Sequence, residues 1–184
     1  MDGVDLCIYA SPKIEGLIWS KCGAKPIPWG LIATRSGPKF GAALVHVNVI
    51  GDFIYATRGA NTSDFLGYDT VANVWETVQP ALGPIGAGGS LAFDGTQYIY
   101  AFQGSGSNSF WSYDVTNNSW QSRRITLAPV ADGGSLAHGN GIIYALRGGG
   151  ETDFWSYYPS SDTWNIGLSP APDQIRGGGS LVFN

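Results

Sequence analysis

The sequence predicts an all-β protein in which copies of one four-stranded sheet follow each other along the chain. Two observations predict it: a short glycine-rich segment returns at a fixed interval, and the composition favours strands joined by tight turns. The 184 residues include 27 Gly, 7 Trp and 9 Tyr, a mixture of turn formers and large aromatic side chains that is typical of many short strands. We therefore expect no long helix.

The repeat is marked first by a Gly-Gly-Ser-Leu segment. It occurs at Gly88-Gly89-Ser90-Leu91, Gly133-Gly134-Ser135-Leu136 and Gly178-Gly179-Ser180-Leu181, with 45 residues from each copy to the next. An Ile-Tyr-Ala segment occurs four times, beginning at Ile8, Ile54, Ile99 and Ile143. An interval of this length fits one small sheet per repeat, so the chain is expected to contain four sheets.

Each repeat contains enough strand signals for four strands, A to D. Strand A is the Gly-Gly-Ser-Leu segment, and strand B, for example Tyr98 to Phe102, is almost wholly apolar, as expected of a strand covered on both faces. Asp94-Gly95 and Asn140-Gly141 between A and B suit tight hairpin turns. Strands C and D carry a pair of large side chains in each repeat: Trp111 with Trp120, Trp155 with Trp164, Trp19 with Trp29, and Leu66 with Trp75.

The order Ile-Tyr-Ala, Arg-Gly, aromatic-Tyr-Asp, polar turn and Trp resembles the kelch repeat. Arg147-Gly148-Gly149 matches the glycine doublet of that family, whereas Arg58-Gly59-Ala60 and Gln103-Gly104-Ser105 keep only its first glycine. The resemblance implies a single β-propeller domain over residues 1–184 with four kelch-like, four-stranded blades, in which a C-terminal strand closes the N-terminal blade. The blades would span 1–36 plus 177–184, 41–82, 86–127 and 131–170.

Ring closure has two solutions that the sequence leaves open. One chain would form a four-bladed monomer, or two chains would form a homodimer with an eight-bladed ring, because the same pairing of strands A and B serves both. The shallower angle between sheets in a larger ring favours the dimer. The small side chains of strand A favour the narrow ring.

Charge and segment composition exclude several classes of partner. The net charge is −4, and the longest basic cluster is Arg123-Arg124, so neither a nucleic acid nor a membrane is an expected partner. We expect no signal peptide and no transmembrane segment, hence a cytoplasmic protein by default. Cys7 and Cys22 are interpreted as free thiols.

Few residues are suited to catalysis or to metal binding. We expect no cofactor, no metal site and no catalytic residues, and therefore do not expect an enzyme. His46 and His138 fall at equivalent strand A positions, where other copies carry Phe93 and Phe183. This exchange with phenylalanine favours a packing role over metal binding. The glycine runs lack the Lys-Ser or Lys-Thr of a phosphate loop.

The connections B–C and D–A should meet on one side of the sheets and form a candidate ligand-binding face. Its residues are Arg58, Asn61, Asp64, Gln103, Asn108, Arg147, Asp153 and Arg176. Arginine there would bind carboxylates or sugar hydroxyls, or would form structural ion pairs between Arg58 and Asp64 and between Arg147 and Asp153. We expect a non-catalytic binding or scaffold module that recognises a protein or glycan. The alternatives are a kelch-type sugar-modifying enzyme, resembling epimerases or oxidases, and a structural, self-assembling unit.

Overall fold

The computed structural model describes residues 40–184, and all regular secondary structure in this range is β-strand. Sheet 1 contains β1 (Ala43–Val47), β2 (Phe53–Thr57), β3 (Phe65–Asp69) and β4 (Val74–Thr77). Sheet 2 contains β5 (Ser90–Phe93), β6 (Tyr98–Phe102), β7 (Phe110–Asp114) and β8 (Ser119–Ser122). Sheet 3 contains β9 (Ser135–Gly139), β10 (Ile142–Leu146), β11 (Phe154–Tyr158) and β12 (Thr163–Asn165).

In each sheet the strands are antiparallel and lie in sequence order. In sheet 2, for example, Tyr100 pairs with Ala92 on one side and with Ser112 on the other. The expected all-β class and the four-strand repeat are confirmed for these three copies. The first copy, with Trp19, Trp29, Cys7, Cys22 and blade segment 1–36, lies outside the described residues.

The tight turns follow from short side chains that bind the backbone. Asn140 and Gly141 have φ angles of 52° and 76°, which few other residues adopt at low cost. Between β7 and β8, Oδ1 of Asp114 accepts the backbone N–H groups of Thr116 at 2.9 Å and Asn117 at 3.0 Å. Asp69 has the same role between β3 and β4. Both aspartates therefore stabilise turns.

The three sheets pack face to face, with β5 of sheet 2 lying beside β1 and β9. Between sheets 2 and 3 the ring centroids of Phe110 and Tyr157 are 4.8 Å apart at 76°, and Phe65 and Tyr113 between sheets 1 and 2 are 4.9 Å apart at 71°. All four side chains are buried. Edge-to-face pairs of this kind add to the gain from burial, and the two interfaces repeat the same packing.

Hydrogen bonds from the serine of the repeat join sheet 2 to sheet 3 and sheet 3 to the C-terminal segment. Oγ of Ser90 accepts the backbone N–H of Leu136 at 3.0 Å, and Oγ of Ser135 accepts that of Leu181 at 2.9 Å. The serine of the Gly-Gly-Ser-Leu segment thus binds the leucine of the following copy. This contact explains why the two residues recur together at the repeat interval.

A second set of bonds joins the outer strands. The backbone N–H of Gln79 donates to Oδ1 of Asn118 at 2.9 Å, and its carbonyl oxygen accepts Nε1–H of Trp120 at 3.0 Å. Equivalent residues form the same two bonds between sheets 2 and 3, at 2.9 Å each: Arg124, Asp162 and Trp164. The recurring tryptophan is therefore a donor between sheets as well as a large apolar side chain.

Residues 177–184 were expected to form a strand, and in the structure they do not. They lie against sheet 3, where the Phe183 ring stacks on Tyr144 at 5.8 Å and 13°. The predicted partner strand belongs to residues 1–36, outside the described range. No helix within residues 40–184 combines the length and apolar character needed to cross a bilayer.

Candidate binding face

The B–C loops of the three sheets span residues 58–64, 103–109 and 147–153. Each is bridged to the connection leading to the next sheet, through Thr62 with Ile85, Ser107 with Val130, and Glu151 with Ile175. The B–C loops and D–A connections therefore meet on one side, as the topology predicts. We call this side the loop face.

The loops lie directly on the entries of the inner strands. Gly104 has a φ angle of 71°, and a Cβ atom there would overlap backbone atoms of Gly86, Ala87 and Gly89. Gly59 and Gly148 occupy equivalent positions with φ angles of 70° each. Glycine is required because both the backbone conformation and the space exclude a side chain. The loop face is consequently anchored by close backbone packing.

The arginines that the sequence placed at this face are engaged in ion pairs. Nε of Arg58 lies 2.8 Å from Oδ2 of Asp64, although its N–H does not point at an acceptor within residues 40–184. Arg147 donates from one terminal nitrogen to Oδ2 of Asp153 at 2.8 Å and from Nε to the Pro129 carbonyl oxygen at 3.0 Å. The two arginine side chains are only 13% and 22% exposed. The guanidinium groups of both arginines are therefore oriented by contacts within the protein.

The middle loop replaces this ion pair by neutral groups. The hydroxyl of Ser107 donates to Oε1 of Gln103 at 2.6 Å, and the backbone N–H of Ser109 donates to Oγ of Ser107 at 3.1 Å. The residues at the two ends of the loop are still joined, although neither is charged. Closing the loop is thus the shared role of Arg58, Gln103 and Arg147.

The remaining sequence candidates divide into structural and exposed residues. The Asn108 side chain donates to the Thr126 carbonyl oxygen at 2.8 Å and holds a connection. Asn61 is exposed, and its Oδ1 accepts the Ser105 hydroxyl of the neighbouring loop at 2.7 Å. Arg176 is exposed and donates to Oε1 of Gln174 at 2.5 Å. Asn61 and Arg176 are therefore the candidates most accessible to a ligand.

An apolar groove at the rim of the loop face was missed by sequence reasoning. It measures about 450 Å³ and is lined by Leu127, Ala128, Asp153, Phe154, Trp155, Ile166, Leu168 and Pro170. Leu127 is 52% exposed and Ile166 is 68% exposed. The available signal was composition, since Ile166 and Leu168 stand where the preceding copy carries Ser122 and Arg124.

On the opposite side of the sheets, His46 differs from the packing role expected of it. Its side chain is 58% exposed, and its Nε2 binds Oδ1 of Asp52, whose other oxygen accepts the Thr70 hydroxyl at 2.6 Å. The hydrogen bond from Thr70, followed by that with His46, lowers the pKa of the Asp52 carboxyl. The longer turn after β1 supplies this partner. The presence of phenylalanine at the equivalent positions of other copies therefore did not indicate that the His46 side chain is buried.

The buried tyrosine side chains in the sheet interiors remain uncharged. Burial raises the pKa of Tyr100 to about 12, and burial, followed by the hydrogen bond to Asp162, raises the pKa of Tyr157. Both phenols therefore remain protonated at neutral pH. Within residues 40–184 no three His, Cys, Asp or Glu side chains are grouped closely enough to hold a metal ion.

No protein-family model and no curated protein matches the chain. Among solved structures, the chain is similar to YjhT, with a TM-score of 0.60 and 17% sequence identity over 73% of this chain and 52% of that one. The chain thus spans about half the length of YjhT. At this identity the likeness concerns the fold alone, and it agrees with the all-β architecture described above.

Proposed function

We propose that the three sheets are blades of a kelch-type β-propeller, and that the protein is a non-catalytic binding or scaffold module. Its loop face would recognise a protein or glycan. The observation that carries this proposal is the shared frame of the three loops. Each is closed by a backbone bond across six residues, from Arg58 to Asp64 at 3.3 Å, Gln103 to Ser109 at 3.3 Å and Arg147 to Asp153 at 3.2 Å.

On this common frame the exposed side chains differ. The position of Asn61 in the first loop is taken by Gly106 and Gly150 in the others, and that of Thr62 by Ser107 and Glu151. A constant scaffold with variable polar tips is the usual design of a recognition surface, since rigid elements position loops that carry the specificity. The paired arginines support the frame and leave the exposed residues to meet a ligand.

The exposed face of sheet 1 supports a further blade. Sheet 1 carries Leu44, Asn73 and Trp75 where sheets 2 and 3 bind a preceding sheet, and Leu44 is 54% exposed. An apolar face that the other two sheets bury against a neighbour fits an additional blade.

We assign that blade to residues 1–36 together with 177–184. A four-bladed monomer and an eight-bladed homodimer would place it against sheet 1 in the same way. Multi-angle light scattering across a range of concentrations separates them: one constant mass of a single chain supports the monomer, and a constant mass of two chains supports the dimer.

The exposed end of sheet 1 also favours a second candidate function, a structural unit that assembles through this face. Mass that rises continuously with concentration would support that role. Leu44→Lys should then restore one small species, because a charge would be buried at each contact. Val71→Lys is the matched control, since Val71 lies in the turn between β3 and β4 and is 84% exposed.

Binding is tested on glycan and peptide arrays with the intact chain. We expect a ligand whose binding is lost in the double variant Asn61→Ala plus Arg176→Ala and kept in Val71→Ala. Asn61 has a φ angle of 55° and accepts the Ser105 hydroxyl, so the double variant should melt slightly below the wild type while remaining folded. Equal binding by the double variant and the wild type would refute recognition through the loop face.

A further inference from the structure

The two-residue turn between β9 and β10 is the one Asn-Gly dipeptide of the sequence. Asn140 and Gly141 are both exposed, and a Cβ atom added to Gly141 would meet no atom within 4 Å. The Asn140 side chain forms no hydrogen bond to another residue in the range 40–184. The side-chain amide of Asn140 is therefore free to approach the backbone nitrogen of Gly141, which no side chain of its own shields.

The backbone N–H of Gly141 points to a histidine. It donates to Nε2 of His138 at 3.2 Å, so the imidazole carries its proton on Nδ1 and offers the lone pair of Nε2. A general base acts on a proton from within about 3.2 Å. His138 is half-buried and close in sequence, so it stays near the exposed turn when the turn moves. The nitrogen that would attack Asn140 thus already contacts a base.

The other described repeats lack this combination. In sheet 2, Phe93 stands at the position of His138, and the turn that follows carries Asp94 in place of an amide. In sheet 1, His46 is bound to Asp52, and no Asn-Gly dipeptide follows β1. Among the repeats that the structure describes, sheet 3 alone places an imidazole beside an Asn-Gly turn.

We propose that Asn140 is a site of spontaneous deamidation in the folded protein, with His138 as the general base. His138 takes the N–H proton of Gly141 while the nitrogen attacks Cγ of Asn140 and closes a succinimide ring. The imidazolium returns this proton to the side-chain nitrogen, which leaves as ammonia. Water then opens the ring at either carbonyl and gives aspartate or isoaspartate. The proposal is independent of the proposed function, because it needs no ligand at the loop face.

The isoaspartate product would alter the hairpin. Isoaspartate carries the chain through its side-chain carbon and so adds one methylene group to the turn. Gly139 pairs with Ile142 across this turn, and the register of a hairpin is fixed by the length of its loop. We therefore expect the aged protein to melt at a lower temperature. The loop face lies at the other end of β10, so its structure should be unchanged.

The test is incubation of the full chain at neutral pH, followed by proteolytic digestion and mass spectrometry. We expect the peptide with Asn140 to gain the mass of an amide-to-acid exchange, and hydroxylamine to cleave the chain after Asn140, as it does at a succinimide. Asn108 and Asn118 are internal controls, because each precedes a serine and each side chain is hydrogen-bonded. An unchanged Asn140, or equal deamidation at the two controls, would overturn the proposal.

Two variants test the base. His138→Phe introduces the residue that Phe93 supplies in sheet 2, so the fold should be retained, and deamidation should slow about tenfold. This factor is small for a general base because a contact of 3.2 Å is long for a hydrogen bond. His138→Gln keeps an acceptor without a base and should be equally slow. His46→Phe is the matched control and should leave the rate unchanged. A wild-type rate in either His138 variant would overturn the assigned base.

Unfolding separates the effect of the fold from that of the local sequence. In urea the wild type and His138→Phe should deamidate at equal rates, because the imidazole is no longer held beside Gly141. A difference that persists in urea would show that sequence proximity alone is responsible. A wild type that deamidates more slowly when folded than in urea would show that the turn protects Asn140. Either result would overturn the proposal.

Discussion

The interface between sheets 2 and 3 and the exposed face of sheet 1 carry equivalent residues in different surroundings. In the interface, Trp164 donates to the Arg124 carbonyl oxygen and Leu136 is buried. On sheet 1, Trp75 has no such bond to residues 40–184, and Leu44 is 54% exposed. The difference teaches that one sheet holds its own strands but requires a neighbour to bury its apolar face.

The largest effect should come from removing the tryptophan. Trp164→Ala should lower the free energy of unfolding by about 4 kcal/mol, because a large side chain and a hydrogen bond between sheets are both lost. Trp75→Ala should cost about half as much. Urea denaturation followed by circular dichroism measures both, and equal losses would mean that the face of sheet 1 is covered as completely as the interface.

Two glycines, each two residues before the serine of the repeat, form a matched pair. Gly133 and Gly178 both have a φ angle of 88°, but a Cβ atom on Gly133 would overlap the Arg176 carbonyl oxygen, whereas one on Gly178 meets no atom within 4 Å. Gly133→Ala should therefore cost about 3 kcal/mol, and Gly178→Ala only the conformational cost of about 1 kcal/mol.

Urea denaturation of the two glycine variants provides the measurement. Similar costs would show that the backbone segments at Gly133 and Arg176 separate easily, which contradicts the close packing described here.

The serine bond between sheets should have a smaller effect. Ser90→Ala removes the acceptor of the Leu136 N–H and should cost about 1.5 kcal/mol, because a buried donor is left unpaired. Ser180→Ala, in the exposed tail, is the control and should be nearly neutral. Amide hydrogen exchange at Leu136 provides a second readout, since its protection should fall in Ser90→Ala alone.

The smallest effect concerns pH and the turn aspartates. Burial opposes ionisation of Asp114, but hydrogen bonds from Asn117, Thr116 and Gln97 outweigh it and leave the pKa of this carboxyl below its ordinary value. Its contribution to stability is therefore complete above about pH 4 and is lost as the pH falls through the lowered pKa.

Asp114→Asn should cost about 1 kcal/mol at pH 7, with a loss that shrinks as the solution is acidified. Thermal melts between pH 2 and pH 7 check this. A loss that stays constant or grows on acidification would contradict the lowered pKa.

The repeating strands could be predicted because their signals are local. Strand β6 begins at Tyr98 and ends at Phe102 as predicted, and the Asn140-Gly141 turn has the positive φ angles expected of it. Apolar patterning and turn-forming residues act over a few residues, so the strands and turns of each copy can be predicted from that copy alone. Agreement between copies strengthens the inference.

The features that eluded prediction depend on neighbours distant in sequence or on loop length. The sequence left open whether Arg147 binds a ligand or Asp153, because this choice depends on side-chain geometry. The role of His46 followed from the longer turn that supplies Asp52. The groove forms where two separate connections lie close together, one carrying Leu127 and the other Ile166. The periodicity of the sequence does not predict which connections lie close together.

The bond from Ser90 to Leu136 and its counterpart from Ser135 to Leu181 have a consequence for the history of the chain. Because successive modules are joined by the same atoms, in-frame duplication of a whole module would create a junction that already fits. Ala43 occupies the serine position in sheet 1, so that module lacks the acceptor. A gene enlarged by copying the modules of sheets 2 or 3 would therefore inherit working junctions, whereas copying that of sheet 1 would not.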